Sequence, residues 1–495
     1  MNQSQVYLDE RIRIAAEAFQ FLKSTTIAQR AAFMHAVATE IEGLGPELLE
    51  TAHAETALPL PRLTGEKART VGQWRSYANA VALGIYTEAR IDLANTETGK
   101  SDIRKFNLGI GPVVVFGASN FPFAFSTAGG DTASAIGAGC PVIVKGHSGH
   151  SQTSTIMADT IATVIKRFGW PEGVFSHILG ANMEGTDTKI GAYLTAHPLV
   201  KAVGFTGSYW GGKALFDIAN QREEPIPVFA EMGSINPVFA FTHLLTDRAE
   251  ALAKEYAASL TLGVGQFCTN PGVFIAVKGD ALERFKKALA SEIAVIAPGT
   301  MLNKGIYEHF EKNKITLSSQ NAVAVIAESR IEATLGQGRP RIIRTTASNF
   351  LKNQVLSEEV FGPFAVLVEA ENNAEVLAIA QQLKGQLTIT IAGTTEDVKE
   401  HQDVFNVVKD KAGRLLFNGM PTGVEVVYAM QHGGPFPSCT DPRFTSVGPD
   451  AVKRFVRPLS FQNWPDEFLP EELKNENPLG IARIVDGAVV TKTSI

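Results

Sequence analysis

Pro112-Val113-Val114-Val115-Phe116-Gly117 leads through Ala118-Ser119-Asn120-Phe121-Pro122 into a small-residue stretch, Thr127 to Gly139. Cys140-Pro141-Val142-Ile143-Val144-Lys145 follows directly. The β-branched runs suit strands and the stretch between them a helix. Strand, helix and strand with short connections predict a right-handed βαβ unit and a parallel sheet. The rhythm repeats downstream: helix from Ser154 to Phe168, strands at 174–179 and 200–205, helix from Gly211 to Asn220, strand from Ile226 to Ala230. Ligands of open α/β sheets bind at the carboxyl ends of the strands. Asn120, Lys145 and the loop after Phe205 are therefore the first places to look for function.

Working outward, residues from about 7 to 86 read as helices, with Ile12, Ala15, Phe19 and Leu22 at three- and four-residue spacing. Ala89 to Asn107 is polar and alternating, with a turn at Thr96 to Lys100, and predicts a hairpin standing off the main body. A second α/β texture follows Glu231: helix from Ala249 to Leu262, strand from Val273 to Val277, helix from Ala281 to Ile296, and strands near 364–368 and 387–392. From His432 the chain is loop-like, then offers a strand from Arg457 to Trp464 and a polar tail. At 495 residues, two or three packed units are expected.

Composition excludes several classes. A net charge of −6, with no basic tract, argues against nucleic-acid binding. Cys140, Cys268 and Cys439 have no C-x-x-C spacing, so neither a disulfide framework, a structural zinc site nor any other metal is expected, and a reducing cytoplasm fits best. Met1 to Glu10 lacks the apolar core of a signal peptide, and no run is long enough to span a bilayer.

The chemistry-bearing residues lie at turns. Cys268, in Gly265-Gln266-Phe267-Cys268-Thr269-Asn270-Pro271-Gly272, is framed by turn formers without an apolar packing period, which suits a nucleophile better than a buried structural thiol. Glu231 ends an apolar run and supplies a carboxylate that can activate water. Asn120 can donate to a developing oxyanion, a contribution of about 3–4 kcal/mol where such a donor has been removed, or can cap the following helix. Lys145 can bond ribose hydroxyls or stand as a solvated charge. Gly207 and Ser208 precede a helix whose N-terminus can meet a pyrophosphate, although the spacing is not G-x-G-x-x-G. Glu359 can hold a ribose or be exposed beside Glu358.

Phe205-Thr206-Gly207-Ser208, Glu231-Met232-Gly233, Gly265-Gln266-Phe267-Cys268-Thr269 and Glu359-Val360-Phe361-Gly362-Pro363 together resemble the aldehyde dehydrogenase superfamily, in its order and near its spacing. Glu231 to Pro237, Gly265 to Gly272, Phe417 to Val426 and His432 to Pro437 are similar to the subgroup acting on α-ketoglutaric semialdehyde (2,5-dioxopentanoate); a related branch handles long-chain aldehydes. The resemblance implies Cys268 as nucleophile, the Asn120 amide and Cys268 backbone N–H as oxyanion donors, and Glu231 as the base that activates water. It implies NADP or NAD as cofactor, with Lys145 and Glu359 on ribose hydroxyls, Gly207 and Ser208 along the pyrophosphate and Phe361 near the nicotinamide ribose. The implied partners are a small aldehyde and a second copy of the chain, in a homodimer or homotetramer, with no nucleic acid or membrane. The implied fold is a Rossmann-type nucleotide-binding domain (1–86 and 108–230), an α/β catalytic domain (231–455) and a small β oligomerisation element with the tail (87–107 and 456–495).

Ser148 stands where NAD-preferring relatives often carry a glutamate, and Tyr209 and Trp210 replace small residues. A glutamate would repel a 2′-phosphate, whereas Ser148, with Lys145, His147 and His150 nearby, is expected to favour NADP. Two other classes remain: a catalytically silent binding or structural protein on this fold, and a cofactor-independent thiol esterase using Cys268 and Glu231. The second leaves Lys145, Gly207 and Glu359 without a purpose.

Overall fold

The β-branched runs form a five-stranded, all-parallel sheet. In the computed structural model, which describes residues 3–180 and 187–491, its order is Phe175–Ile178, Val142–Lys145, Val113–Phe116, Ala202–Thr206, Val228–Glu231. The chain builds outward from Val113–Phe116 to one side, then returns to its other side. The reversal falls between Val113–Phe116 and Ala202–Thr206, and at such a switch the carboxyl ends of the strands open a ligand crevice.

Strand periodicity explains why both faces are apolar. Val113 and Val115 enter one core with the helices Ile27–Gly43, Leu60–Ala82, Gly130–Gly137 and Ser151–Arg167. Val114 and Phe116 enter another with the helices Gln3–Lys23 and Tyr209–Asn220. The helix expected from Thr127 to Gly139 is shorter, Gly130–Gly137. Its approach is a turn in which Gly130 N–H bonds Ala124 O at 3.0 Å, and a Cβ on Gly129 would come within 2.6 Å of that oxygen.

A second sheet has seven strands in the order Ala324–Glu328, Arg341–Thr346, Phe364–Ala370, Val273–Val277, Val238–Ala240, Gln386–Ala392, Ala412–Phe417. All neighbours are parallel except the antiparallel edge strand Ala324–Glu328. Separate cores pack on its two faces.

The hairpin expected near 87–107 forms between Arg90–Asp92 and Ile103–Gly109, and Val456–Gln462 pairs along the latter. The polar tail is more ordered than expected. Arg483–Val485 pairs parallel with Arg90–Asp92 and antiparallel with Ala488–Val490, giving five strands. Three-residue strands carry too little alternation to be read locally. Arg104 secures this layer, bonding Asp102, Asp466 and Leu473 O from a buried position. The segment around Pro449–Phe455 returns to the first sheet, where Arg454 pairs with Asp131 at 2.7 Å.

Candidate active site

Cys268 lies between the two large sheets, on a loop anchored at both ends. Upstream, Gly263, Val264 and Gly265 take left-handed conformations with φ near 55°, 59° and 65°. That is a strained choice for the β-branched Val264. A Cβ on Gly265 would fall 2.4 Å from Gly362, so the glycine allows the Cys268 loop to touch the Glu359–Pro363 loop. On the other side, Asn236 Nδ2 donates to Cys268 O and Asn270 O, both at 2.9 Å.

Glu231 ends the last strand of the first sheet and is buried. Ser446 Oγ donates to its Oε2 at 2.6 Å, and His432 Nε2 lies 2.9 Å from its Oε1. The same His432 nitrogen is 3.5 Å from Cys268 Sγ. One ring nitrogen thus faces both the thiol and the carboxylate, and its proton can serve only one of them at a time. Burial pushes the Cys268 thiol well above its usual range and the Glu231 charge adds to this, opposed by Arg69. Burial acts to raise Glu231 as well, but His432, Ser446 and Cys268 hold its carboxyl below the usual value. The resting state is a neutral thiol beside an ionised carboxylate, with an imidazole within reach of both. The three side chains also have the composition of a cation site, their ligand atoms lying within 4.8 Å of one another.

Asn120 follows the first sheet's central strand and is held from two directions. Its Nδ2 donates to Gln266 O at 3.1 Å, tying it to the Cys268 loop, and Arg62 Nη2 donates to its carbonyl at 2.7 Å. Glu66, fully buried on the same helix as Arg62, accepts from Phe123 N–H and Ala124 N–H at 2.8 and 3.0 Å. Asn120 therefore does not cap the helix that starts at Gly130; its amide is aimed at the nucleophile loop.

The residues expected around a dinucleotide border this cluster, Gly207 N–H donating to Glu231 O at 3.0 Å. Lys145 ends its strand in a buried position, whereas Ser148, Gly207 and Ser208 are exposed near the carboxyl edge of the same sheet. Ser208 caps the helix Tyr209–Asn220, accepting from Gly211 N–H at 3.2 Å, and the exposed Gly207 and Ser208 leave that helix N-terminus open to an anion. Trp210 is 79% exposed, and the Tyr209 ring meets both Trp210 and Phe436 edge-on. His147 Nδ1 accepts from Gly149 N–H.

His150 departs from expectation. It is buried, its Nε2 sits 2.8 Å from Ala118 O, and burial lowers its pKa, so it brings no charge to a phosphate on the loop surface. Glu359 lies across the crevice against Gly233, where a Cβ would fall 2.3 Å from its Oε2. Burial raises its carboxyl to about 7, with relief from the Ser234 backbone. Glu359 and Phe361 line a common crevice with Gly265, Phe267 and Asn270.

Reading residues singly missed His432, although it stands inside one of the motifs quoted above. Ser446 carries no such signal.

The sequence pattern described as "Aldehyde dehydrogenase family" matches residues 2–458. Alpha-ketoglutaric semialdehyde dehydrogenase 2 of Azospirillum brasilense is 46% identical over 487 residues, covering 98% of this chain and 92% of that protein. Alpha-ketoglutaric semialdehyde dehydrogenase of Acinetobacter baylyi is 44% identical over 493 residues, with the same two coverages. Among solved structures, 1-pyrroline-5-carboxylate dehydrogenase from Thermus with bound NAD superposes with a TM-score of 0.77 at 19% identity, covering 93% of this chain and 86% of that one. The chain belongs to the aldehyde dehydrogenase family.

Proposed function

We propose that this enzyme oxidises α-ketoglutaric semialdehyde to 2-oxoglutarate, with Cys268 as nucleophile and Glu231 as the base for hydrolysis. The two relatives above carry that substrate in their names, and both align over nearly the whole chain. The observation that carries the mechanism is the buried approach of Cys268, His432 and Glu231, at 3.5 and 2.9 Å.

In this reading the Cys268 sulfur attacks the aldehyde carbon as its proton passes to His432, which returns it when the thiolate is released. The oxygen that gains charge is met by Asn120 Nδ2–H and the Cys268 backbone N–H. A nicotinamide dinucleotide held by Lys145, Ser148, Gly207, Ser208 and Glu359 would supply the acceptor for the hydride that leaves the carbon. The resulting thioester on Cys268 is attacked by water, whose proton goes to the ionised Glu231. The carboxylic acid departs and the thiol is restored. Ser446 holds one Glu231 oxygen, leaving the other toward His432 and the thiol.

Lys145, Ser148, Gly207, Ser208, Glu359 and Phe361 are assigned to the dinucleotide, supported by the open helix N-terminus and the crevice beside Glu359. We expect NADP+ to serve at least as well as NAD+, a reading that now rests on Ser148, His147 and Lys145 without His150. Residues 1–86 and 108–230 are assigned to nucleotide binding, 231–455 to catalysis, and 87–107 with 456–495 to assembly as a homodimer or homotetramer in the cytoplasm. Among the described residues no helix is long and apolar enough to cross a membrane. Steady-state kinetics with an aldehyde panel against both cofactors test the substrate and cofactor assignments. Cys268→Ala should abolish oxidation while dinucleotide binding persists; turnover by a folded Cys268→Ala protein would remove the nucleophile assignment.

A further inference from the structure

Two half-buried arginines on the helix Leu60–Ala82 pack around the Cys268 site, and neither makes an ion pair among the described residues. Arg62 and Arg69 stand seven residues apart, two turns along one face. The Arg62 guanidinium lies between the Phe121 and Phe267 rings, 5.0 and 4.8 Å from their centroids, and Phe267 adjoins Cys268. The Arg69 guanidinium lies 5.0 Å from the Phe125 ring, and that ring neighbours His432 at 6.2 Å.

Each arginine has one bonded and one orphaned terminal nitrogen. Arg62 Nη2 bonds Asn120 O, and Arg69 Nη2 bonds Val424 O at 3.4 Å. Nη1 of each is buried with no hydrogen-bond partner, and neither side chain has an ion pair among the described residues. Glu66 lies between them on the helix, with Oε1 accepting from Phe123 and Ala124 N–H and Oε2 buried without a hydrogen-bond partner, so its charge reaches the arginines only across space. Burial lowers the pKa of both arginines, and the opposing pull of Glu66 on Arg62, and of Tyr77 and Glu66 on Arg69, does not offset it. Buried charge and buried N–H groups are costly unless paired. Two such groups beside one nucleophile call for an anion from outside the chain.

We propose that Arg62 and Arg69 form the subsite for the carboxylate at the far end of the substrate, Nη1 of each being the donor it meets. The inference rests on the substrate reading above and supplies the residues that enforce it. Four carbon–carbon bonds separate the aldehyde and carboxylate carbons of 2,5-dioxopentanoate, roughly 5 Å in extended form, so the subsite must border the Cys268 loop, as Arg62 does through Phe267. Arginine suits the task because its planar fork matches a carboxylate. Arg414 supports the same wall, donating to Pro421 O and Gly423 O in the loop whose Val424 O receives Arg69.

The test compares 2,5-dioxopentanoate with pentanal, equal in length but lacking the carboxylate. Arg69→Met should raise KM for the dioxo acid by about 30-fold or more, as expected for removing one partner of a buried charge pair. Its kcat/KM for pentanal should fall by a much smaller factor, the part that follows from Arg69 no longer easing the Cys268 thiol. Arg62→Met should act alike on KM, with an added fall in kcat through Asn120. Glutarate should compete with pentanal in the wild type, a measurement that needs no variant, and Arg69→Lys covers the case in which methionine prevents folding. Parallel loss on both aldehydes would reassign Arg69 to supporting the thiolate and overturn the proposal. So would failure of glutarate to compete. A wild type that does not distinguish the two aldehydes sinks the substrate reading itself. A carboxylate preference that survives both substitutions sinks only the arginine assignment.

Discussion

Replacing Glu231 by Gln should move two steps of the reaction in opposite directions. The carboxylate, the thiol and His432 bring their ligand atoms within 4.8 Å of one another, Glu231 and His432 buried and Cys268 half-buried. Unit charges at that separation interact by roughly 3–4 kcal/mol at an effective dielectric near 20. His432 and Ser446 already absorb part of the carboxylate's field, so the expected remainder is a clear fall in the Cys268 pKa. The sign follows from Glu231 being one of the causes that raise the thiol. Removing the negative charge lowers the pKa and enlarges the thiolate fraction at neutral pH. Iodoacetamide should then alkylate Cys268 about tenfold faster at pH 7, with the rate profile displaced toward acid. Hydrolysis loses its base and should slow by about 100-fold or more. Stopped-flow absorbance should show a burst of reduced cofactor near one per active site, followed by slow turnover. Loss of the burst, or an alkylation profile unmoved or displaced toward alkali, would refute this account of the site.

Ser148→Glu should shift cofactor preference toward NAD+, measured as the ratio of kcat/KM for the two cofactors; an unchanged ratio would show a solvated, indifferent loop. His150→Gln should leave that ratio alone, since its ring faces Ala118 O inside the protein; a changed ratio would return His150 to the phosphate site. Asn236→Ala removes two hydrogen bonds that hold the Cys268 loop and places alanine at φ near 44°. It should cost about 2–4 kcal/mol, read as the displacement of a denaturant midpoint; a stability within 0.5 kcal/mol of wild type, roughly the scatter of surface substitutions, would argue against the anchor. Zinc at micromolar concentration should inhibit reversibly, with recovery on adding EDTA, because a thiolate, an imidazole and a carboxylate match its ligand preferences; insensitivity would mean that the three groups do not converge on a cation.

Much of the molecule is written in local pattern. A β-branched run followed by a small-residue helix needs no distant partner to declare itself, because strand periodicity and turn chemistry act within a few residues. The parallel sheet, the loop position of Cys268 and Glu231 at a strand end were all legible in this way, and the family resemblance followed from the order of such pieces. The tertiary structure alone decided which of them meet. Cys268 and His432 stand 164 residues apart in the chain and Glu231 and Ser446 stand 215 apart, and no local period carries information over that span. Burial was equally hidden. Arg62 and Arg69 stand out in the sequence only as basic residues that could meet a substrate's far carboxylate, with nothing local to show that aromatic rings enclose them, and His150 reads as a group beside a phosphate. Packing turned all three inward, because whether a side chain meets water or an aromatic ring depends on what other segments lay against it, and that is a property of the assembled fold.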